Sequence, residues 1–332
     1  MKRKTIPKET PFESRTQILI MDPKPRAKNN RTIVLTPAQK KALARSLAPV
    51  PDRMLAPEEA ADRVFAGDCL DVMARLPEGF AAMAVLDPPY NLTKEFNGTM
   101  FRSRSEDAYR DYLASWMPLV KRLVRPGGAV YLCCDWQCTA ACYEILRNHF
   151  LVRNRITWQR EKGRSSPSNW KNACEDIWYA LAPPKSKALF HADAVRMKRR
   201  VIAPYRENGA PKDWTEDNEG KFRLTGASNF WDDISVPFWS MPENTDHPAQ
   251  KPEKLIAKLI LASTDPGDLV LDPFCGSGTT AATAKKLGRR FTVVERELDY
   301  CCLALERVRR AEHDKTIQGY EDGIFWERNA RR

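Results

Sequence analysis

The sequence predicts an α/β fold in which a largely parallel sheet carries helices on both faces. Two observations carry that prediction. From Arg63 to about residue 310, apolar runs of strand length alternate with amphipathic stretches of helix length, the pattern of a parallel-type sheet buried on both sides. Two of the strands run straight into loops rich in Pro or Gly, Leu86-Asp87-Pro88-Pro89-Tyr90 and Asp272-Pro273-Phe274-Cys275-Gly276-Ser277-Gly278-Thr279-Thr280. The carboxyl edge of such a sheet is where open α/β folds bind ligands.

Taken in order, residues 1–60 hold eight of the 24 prolines and are read as a basic, irregular N-terminal arm. One helix is expected inside it, with Thr36 as cap, Pro37 at the first position and AQKKALARSLA following. RVFAGD is a strand, CLDVMARLPEG a helix and AAMAVLD a buried strand. Residues 105–124 are helical, GGAVYLCC is a second buried strand, and a helix follows to about His149. LVRNRITW and DIWYAL are two further strands. Residues 185–246 break the rhythm, being polar, irregular and punctuated by Pro204, Pro211, Pro237 and Pro242. Regular alternation returns with KLIAKLILAST (helix), DLVLD (strand), TTAATAKKLG (helix), RRFTVVE (strand) and DYCCLALERVRRA (helix). The boundaries that follow are 1–60 (arm), 61–184 (first half of the α/β domain), 185–246 (insert), 247–315 (second half) and 316–332 (C-terminal tail).

At 332 residues with 42% hydrophobic residues, the chain can bury a substantial core. No run of 18 apolar residues argues for a spanning helix. The opening MKRKTIPKETPFES lacks the apolar stretch of a secretory signal, so a cytoplasmic protein is expected. Nine cysteines, an odd number, argue against a disulfide framework. Cys133, Cys134, Cys138 and Cys142 lack the paired knuckles of a zinc site and read as buried or free thiols; no metal is expected. The net charge of +11 is uneven. Residues 1–60 hold 13 Lys and Arg against 6 Asp and Glu, while the body is nearly balanced. Basicity alone therefore says little about a polyanionic partner.

The loop Asp87-Pro88-Pro89-Tyr90 offers a carboxylate, a free carbonyl and a flat ring. The prolines stiffen it and remove two backbone donors. An exocyclic amino group on a base matches these features: it has two hydrogens to donate, a face to stack, and a lone pair delocalised into the ring. Two acceptors gripping its hydrogens free that lone pair. Such an atom lies inside a duplex, so the base must first be flipped out. In the second loop, Gly276 and Gly278 let backbone approach a ligand at a helix N-terminus. Glu295 ends the next strand and is suited to the two hydroxyls of a ribose. Alone, this segment also fits the dinucleotide pattern G-x-G-x-x-A, which leaves a nicotinamide-dependent oxidoreductase open at this point.

Together the two motifs resemble the DNA amino-methyltransferases, and specifically their permuted β class. There a [DNS]-Pro-Pro-[YFW] motif precedes an F-x-G-x-G motif, with a target-recognition region between; Asp87–Tyr90, residues 185–246 and Phe274–Gly278 follow that order. His247-Pro248-Ala249-Gln250-Lys251-Pro252 is similar to the motif that flanks the methionine end of the cofactor. Gly67-Asp68-Cys69 is similar to the segment that meets its adenine. The resemblance covers about residues 63–310. It implies a Rossmann-like class I methyltransferase fold, circularly permuted, with a mixed seven-stranded sheet ordered 3-2-1-4-5-7-6 and an inserted target-recognition region. It implies S-adenosylmethionine as methyl donor, double-stranded DNA as substrate, and a homodimer. Asp, rather than Ser, at position 87 favours N6 of adenine over N4 of cytosine. The carbon-5 cytosine chemistry needs a Pro-Cys nucleophile, and the chain has no Pro-Cys dipeptide.

The expected catalytic residues are thus Asp87, Pro88, Pro89 and Tyr90. The expected cofactor residues are Asp68, Cys69, Asp87, His247, Gln250, Lys251, Asp272, Phe274, Gly276, Gly278, Thr279, Thr280 and Glu295. Some also have plain structural readings. Gly67-Asp68 fits an ordinary strand-end turn, and Lys251 fits either the cofactor carboxylate or a surface cap. His247 reads as a hydrogen-bonding residue, because no second ligand sits at metal spacing. For DNA, the basic run with Arg196, Lys198, Arg199 and Arg200 suits phosphates, with a solvated loop as the alternative. Arg164, Lys171 and Asn172, between two strands, are placed to approach the duplex.

Overall fold

The computed structural model describes residues 26–96, 99–160, 168–183, 189–218 and 220–327. Among them, eight strands share one sheet: β1 (Arg63–Ala66), β2 (Ala81–Leu86), β3 (Val124–Cys134), β4 (Leu151–Gln159), β5 (Cys174–Leu181), β6 (Phe230–Trp231), β7 (Leu269–Asp272) and β8 (Arg290–Glu295). Their order is β1-β8-β7-β2-β3-β5-β4-β6. Pairing is parallel except on the two sides of β5. Seven of the strands follow the expected permuted order. The eighth, β6, is a two-residue edge strand drawn from the insert.

All six residues of β2 are buried, and Met83 to Leu86 alternate between two cores. Ala84 and Leu86 join one with helices Glu106–Leu123 and Thr139–His149, while Met83 and Val85 join the other with helices Glu253–Ser263, Thr279–Lys286 and Leu298–His313. Successive side chains of a strand point to opposite faces, so a continuous apolar run at this position is what a two-sided core requires. The parallel pairing of β2 with β7, through Met83–Val270 and Ala84–Leu271, carries the loops after Leu86 and Asp272 to one edge of the sheet.

Four regions differ from expectation. The insert is not irregular: strands Met197–Arg200, Thr215–Asp217 and Gly220–Thr225 form a five-stranded sheet with Tyr320–Glu321 and Ile324–Trp326. Residues 316–332, read as a tail, thus supply two strands to this second sheet. Described residues of the arm are packed rather than loose. Its helix Pro37–Ala44 has a capping box between Thr36 and Gln39. Ile33, Leu35 and Leu43 bury against Tyr300, Cys302 and Leu303, and Ala48 bridges to Phe65 beside the sheet edge. The helix expected over CLDVMARLPEG is confined to Cys69–Met73.

The second sheet covers helix Glu253–Ser263, every residue of which is buried. Val195, Met197, Ile317 and Phe325 pack on its Ala257, Leu261 and Ala262. Lys254 and Lys258, polar-face residues by pattern, are buried with it. Both reach Asp233: Lys254 Nζ at 2.7 Å, and Lys258 Nζ at 2.8 and 2.9 Å from its two oxygens. Burial pushes the Lys258 amine down to about 8 against the pull of Asp233. Asp233→Ala leaves two ammonium groups buried without their counter-charge, and such losses cost about 3–5 kcal/mol. Urea unfolding followed by circular dichroism should show a fall of that size, and an unchanged midpoint contradicts this account of the anchor.

Candidate active site

Asp87 leaves the end of β2 at the middle of the sheet edge. Lys251 Nζ lies 2.7 Å from each of its oxygens. The Tyr90 hydroxyl is within donating distance of Asp87 Oδ1 (3.0 Å) and Glu175 Oε2 (3.1 Å). Glu175, near the start of β5, also faces Lys251 at 3.4 Å and pairs with Arg160. Pro89 is pinned through its carbonyl, which accepts from the Tyr109 hydroxyl at 3.3 Å. Asp87 and Tyr90 are thus held in a charge-balanced cluster drawn from four chain segments, and Pro89 is held by Tyr109. Lys251 was expected at the cofactor or the surface; it is buried and paired with Asp87. Glu175 and Arg160 were not foreseen. The available signal was a pair of adjacent acids, Glu175-Asp176, opening an otherwise apolar strand.

The glycine turn lies next to this cluster. Gly276 and Gly278 have φ of +52° and +79°, left-handed values that glycine adopts without strain. A Cβ on Gly276 would meet His247 Nε2 at 2.9 Å, and one on Gly278 would meet Ala304 at 2.5 Å. His247 therefore straps the turn, with its ring edge-on to Tyr300. Burial and the nearby Lys251 push its imidazole down to about 3, so the ring is neutral. Glu295, at the end of β8, accepts from the backbone N–H of Gly276 (2.9 Å) and Glu297 (2.8 Å), one on each oxygen. An ionised carboxylate has about four lone-pair sites, so each oxygen retains acceptor capacity. Gly67 N donates to the Glu295 carbonyl at 2.9 Å, which sets Asp68 and Cys69 beside it. Asp68 caps the short helix through Leu70 N. Phe274 packs edge-on against Trp116.

Several expected cofactor residues have other partners. Asp272 is buried and holds the turn, accepting from Phe274 N (2.9 Å) and the Thr280 hydroxyl (2.5 Å). Thr279 donates to the Lys251 carbonyl and accepts from Arg307. Gln250 closes its own loop through Thr245 and the Glu243 carbonyl. These residues shape the turn from behind.

The expected DNA residues are scattered. Lys171 and Asn172 precede β5 at the same edge as Asp87. Arg196 and Arg200 are exposed at the two ends of Met197–Arg200, Arg196 in an ion pair with Asp193. Lys198 sits over the rings of Phe222 and Trp326, at 4.1 and 4.4 Å from their centroids. Arg199 pairs with Asp232 and Glu327. Arg164 lies outside the described residues.

The N6/N4 DNA methylase family profile matches residues 81–306. The chain belongs to that family. The methylase is 30% identical over 259 residues to DNA adenine methyltransferase YhdJ of Escherichia coli K12, covering 76% of this chain and 84% of that one. It is 28% identical over 261 residues to Type II methyltransferase M.HpaI of Haemophilus parainfluenzae, covering 78% and 76%. The PvuII cytosine-N4-specific DNA methyltransferase has a similar fold, with a TM-score of 0.55 over 79% of this chain and 89% of its own at 17% identity. The methyl donor of the family is S-adenosylmethionine, and the site fits it: the glycine cradle and the spare acceptors of Glu295 suit an adenosine ribose. The nicotinamide reading of the glycine turn is set aside. No helix among the described residues is long and apolar enough to cross a membrane.

Glu295→Ala should weaken binding of S-adenosylmethionine by about tenfold or more in calorimetry, the cost of lost charged hydrogen bonds. Unchanged affinity removes Glu295 from the site. Asp272 gives a second expectation. Burial pushes its carboxyl up to about 7, against the opposing bonds from Thr280 and Phe274. A carboxyl whose folded value exceeds its unfolded one stabilises below the unfolded value, and that stability is lost as pH rises through 7. In Asp272→Asn the fall in urea midpoint between pH 5 and pH 8 should therefore be smaller than in the wild type. An identical fall contradicts the assignment.

Proposed function

We propose that the methylase modifies N6 of an adenine flipped out of duplex DNA. The observation that carries this reading is Asp87 in the Asp-Pro-Pro-Tyr loop, one strand from the glycine turn and at the same sheet edge. The resemblance associates Asp at this position with adenine, and the relative YhdJ is named an adenine methyltransferase.

When bound, S-adenosylmethionine supplies a methyl group made electrophilic by its sulfonium. The chain's own residues prepare the nucleophile. Asp87 Oδ1 already takes Lys251 and faces Tyr90, whereas Oδ2 takes Lys251 alone. An Oδ2 lone pair is the acceptor for one amino hydrogen, and the Pro88 carbonyl is the acceptor for the other. With both hydrogens held, the nitrogen lone pair turns out of conjugation and toward the methyl donor. Tyr90 supplies the stacking face that replaces the lost base stack, a contact worth roughly 1–3 kcal/mol. Lys251 lies over its ring, 5.2 Å from the centroid. Most of the rate then comes from positioning and preset acceptors. After transfer the nitrogen is strongly acidic, and Asp87 or solvent takes the proton. Arg196 and Arg200, both exposed, are assigned to phosphate contact, and Lys171 and Asn172, just before β5 at the Asp87 edge, to the DNA beside the target base.

Asp87→Ala should lower turnover on plasmid DNA by at least about a hundredfold, the scale for losing one preset electrostatic contact, while S-adenosylmethionine still binds. Nucleoside mass spectrometry of the wild-type product should find N6-methyladenine. Near-normal turnover by the variant, or N4-methylcytosine as the product, overturns the reading.

A further inference from the structure

We propose that Lys251 and Glu175 are a positioning pair that fixes the orientation of Asp87 for methyl transfer, and that Lys251 is not a cofactor ligand. The inference rests on the reading of Asp87 as the acceptor for the target amino group. Neither residue was expected in this role, and the geometry carries it.

Lys251 is nearly buried, with 8% of its side chain exposed, and Glu175 is more so, at 4%. A buried ammonium requires paired charge and hydrogen bonds. Lys251 has three donor directions, and among the described residues its ammonium meets the two oxygens of Asp87 and Glu175 Oε2. That arrangement directs the head group to the acceptor loop. Its backbone carbonyl is held by the Thr279 hydroxyl at 3.0 Å, so the segment that straps the glycine turn also fixes where the ammonium stands. Glu175 completes the set: it pairs with Arg160 and faces the Tyr90 hydroxyl. Two carboxylates and two cations leave no net charge in the cluster.

The consequence for Asp87 is directional. Lys251 bridges both oxygens, and Tyr90 lies beside Oδ1. This selects Oδ2 as the more open acceptor. The groups that face the cluster are Lys251 and, through it, His247 from the strap, Glu175 from β5, the Cys133 and Cys134 thiols from β3, Tyr90 from the loop, Asp272 from β7 and Arg160 beyond Glu175. Burial pushes Glu175 up, but Lys251 and Arg160 hold its carboxyl below the usual range. Burial also lowers Lys251, and the two carboxylates more than offset it, keeping the amine charged. Without the ammonium, Asp87 and Glu175 face each other as like charges, and one proton is retained more readily between them. Without the Glu175 charge, Lys251 serves Asp87 alone, and proton retention falls.

The two variants should therefore move the acid limb of the kcat profile in opposite directions. Tritiated methyl transfer to plasmid DNA at saturating cofactor, from pH 5.5 to 9, reads this. Lys251→Met should lower kcat at pH 7 by at least about tenfold, shift the acid limb upward, and leave the calorimetric Kd for S-adenosylhomocysteine within about twofold. Glu175→Gln should shift the limb downward and keep more kcat than Glu175→Ala, since the amide still accepts from Arg160 and Tyr90. Loss of folding moves kcat, KM and ligand binding together and shifts no limb. If Lys251→Met does not fold, the direction of the Glu175→Gln shift and its advantage over Glu175→Ala decide the matter. Unmoved profiles, wild-type kcat in either variant, or a tenfold loss of S-adenosylhomocysteine affinity in Lys251→Met overturns the proposal. An active Asp87→Ala control instead overturns the underlying reading of Asp87.

Discussion

Hydrogen bonding between β2 and β7, parallel and adjacent at the centre of the sheet, is the constraint from which the site follows. The two strands are separated by most of the domain in sequence, yet the pairing of Met83 with Val270 and Ala84 with Leu271 sets their ends side by side. Each then supplies what its loop chemistry allows. One gives a rigid acceptor loop, because two prolines remove donors and freedom. The other gives a backbone cradle, because two glycines accept left-handed angles. A chain order with the acceptor loop first and the cradle last costs nothing in geometry, since the sheet sees only neighbours.

Placing ionised groups at such an edge brings a desolvation problem. The methylase meets it with paired charges rather than exposure. Asp87, Glu175, Lys251 and Arg160 form one balanced set. Asp233, one carboxylate shared by the amines of Lys254 and Lys258, forms a second paired but unbalanced set beneath the second sheet. The first set lies where a base is to be handled and the second where the insert is anchored, so rigidity in both places comes from partnered buried charge. His247 adds a neutral strap, its imidazole stripped of charge by burial and by Lys251. The same short segment, residues 247–251, thus secures the cradle with one side chain and the acceptor with another.

How much of this was legible in the sequence depended on whether the signal was local. AAMAVL reads as a two-sided buried strand without reference to any partner, and Thr36 with Gln39 writes a helix start in four residues. The two site loops were legible because Pro, Gly and acidic residues state their geometry on their own. The second sheet was not, because its strands are two to six residues long and pair Met197 with Phe325 across the whole second half of the domain. The strand Ile324–Trp326 consequently looked like tail. The burial of Lys254 and Lys258 could not be read for the same reason: the sheet that covers them is non-local. Glu175 was passed over because a charge on a strand ordinarily marks its wet side, and only the antiparallel run of β5 brings its first residues to the site edge.

The most direct test of the shared edge is a crystal structure of the methylase with S-adenosylhomocysteine. The account predicts the ribose hydroxyls on Glu295, the backbone of Gly276 against the ligand, and the sulfur facing the Asp87–Tyr90 loop. A ligand bound away from Glu295, or one whose sulfur faces away from Asp87, contradicts it.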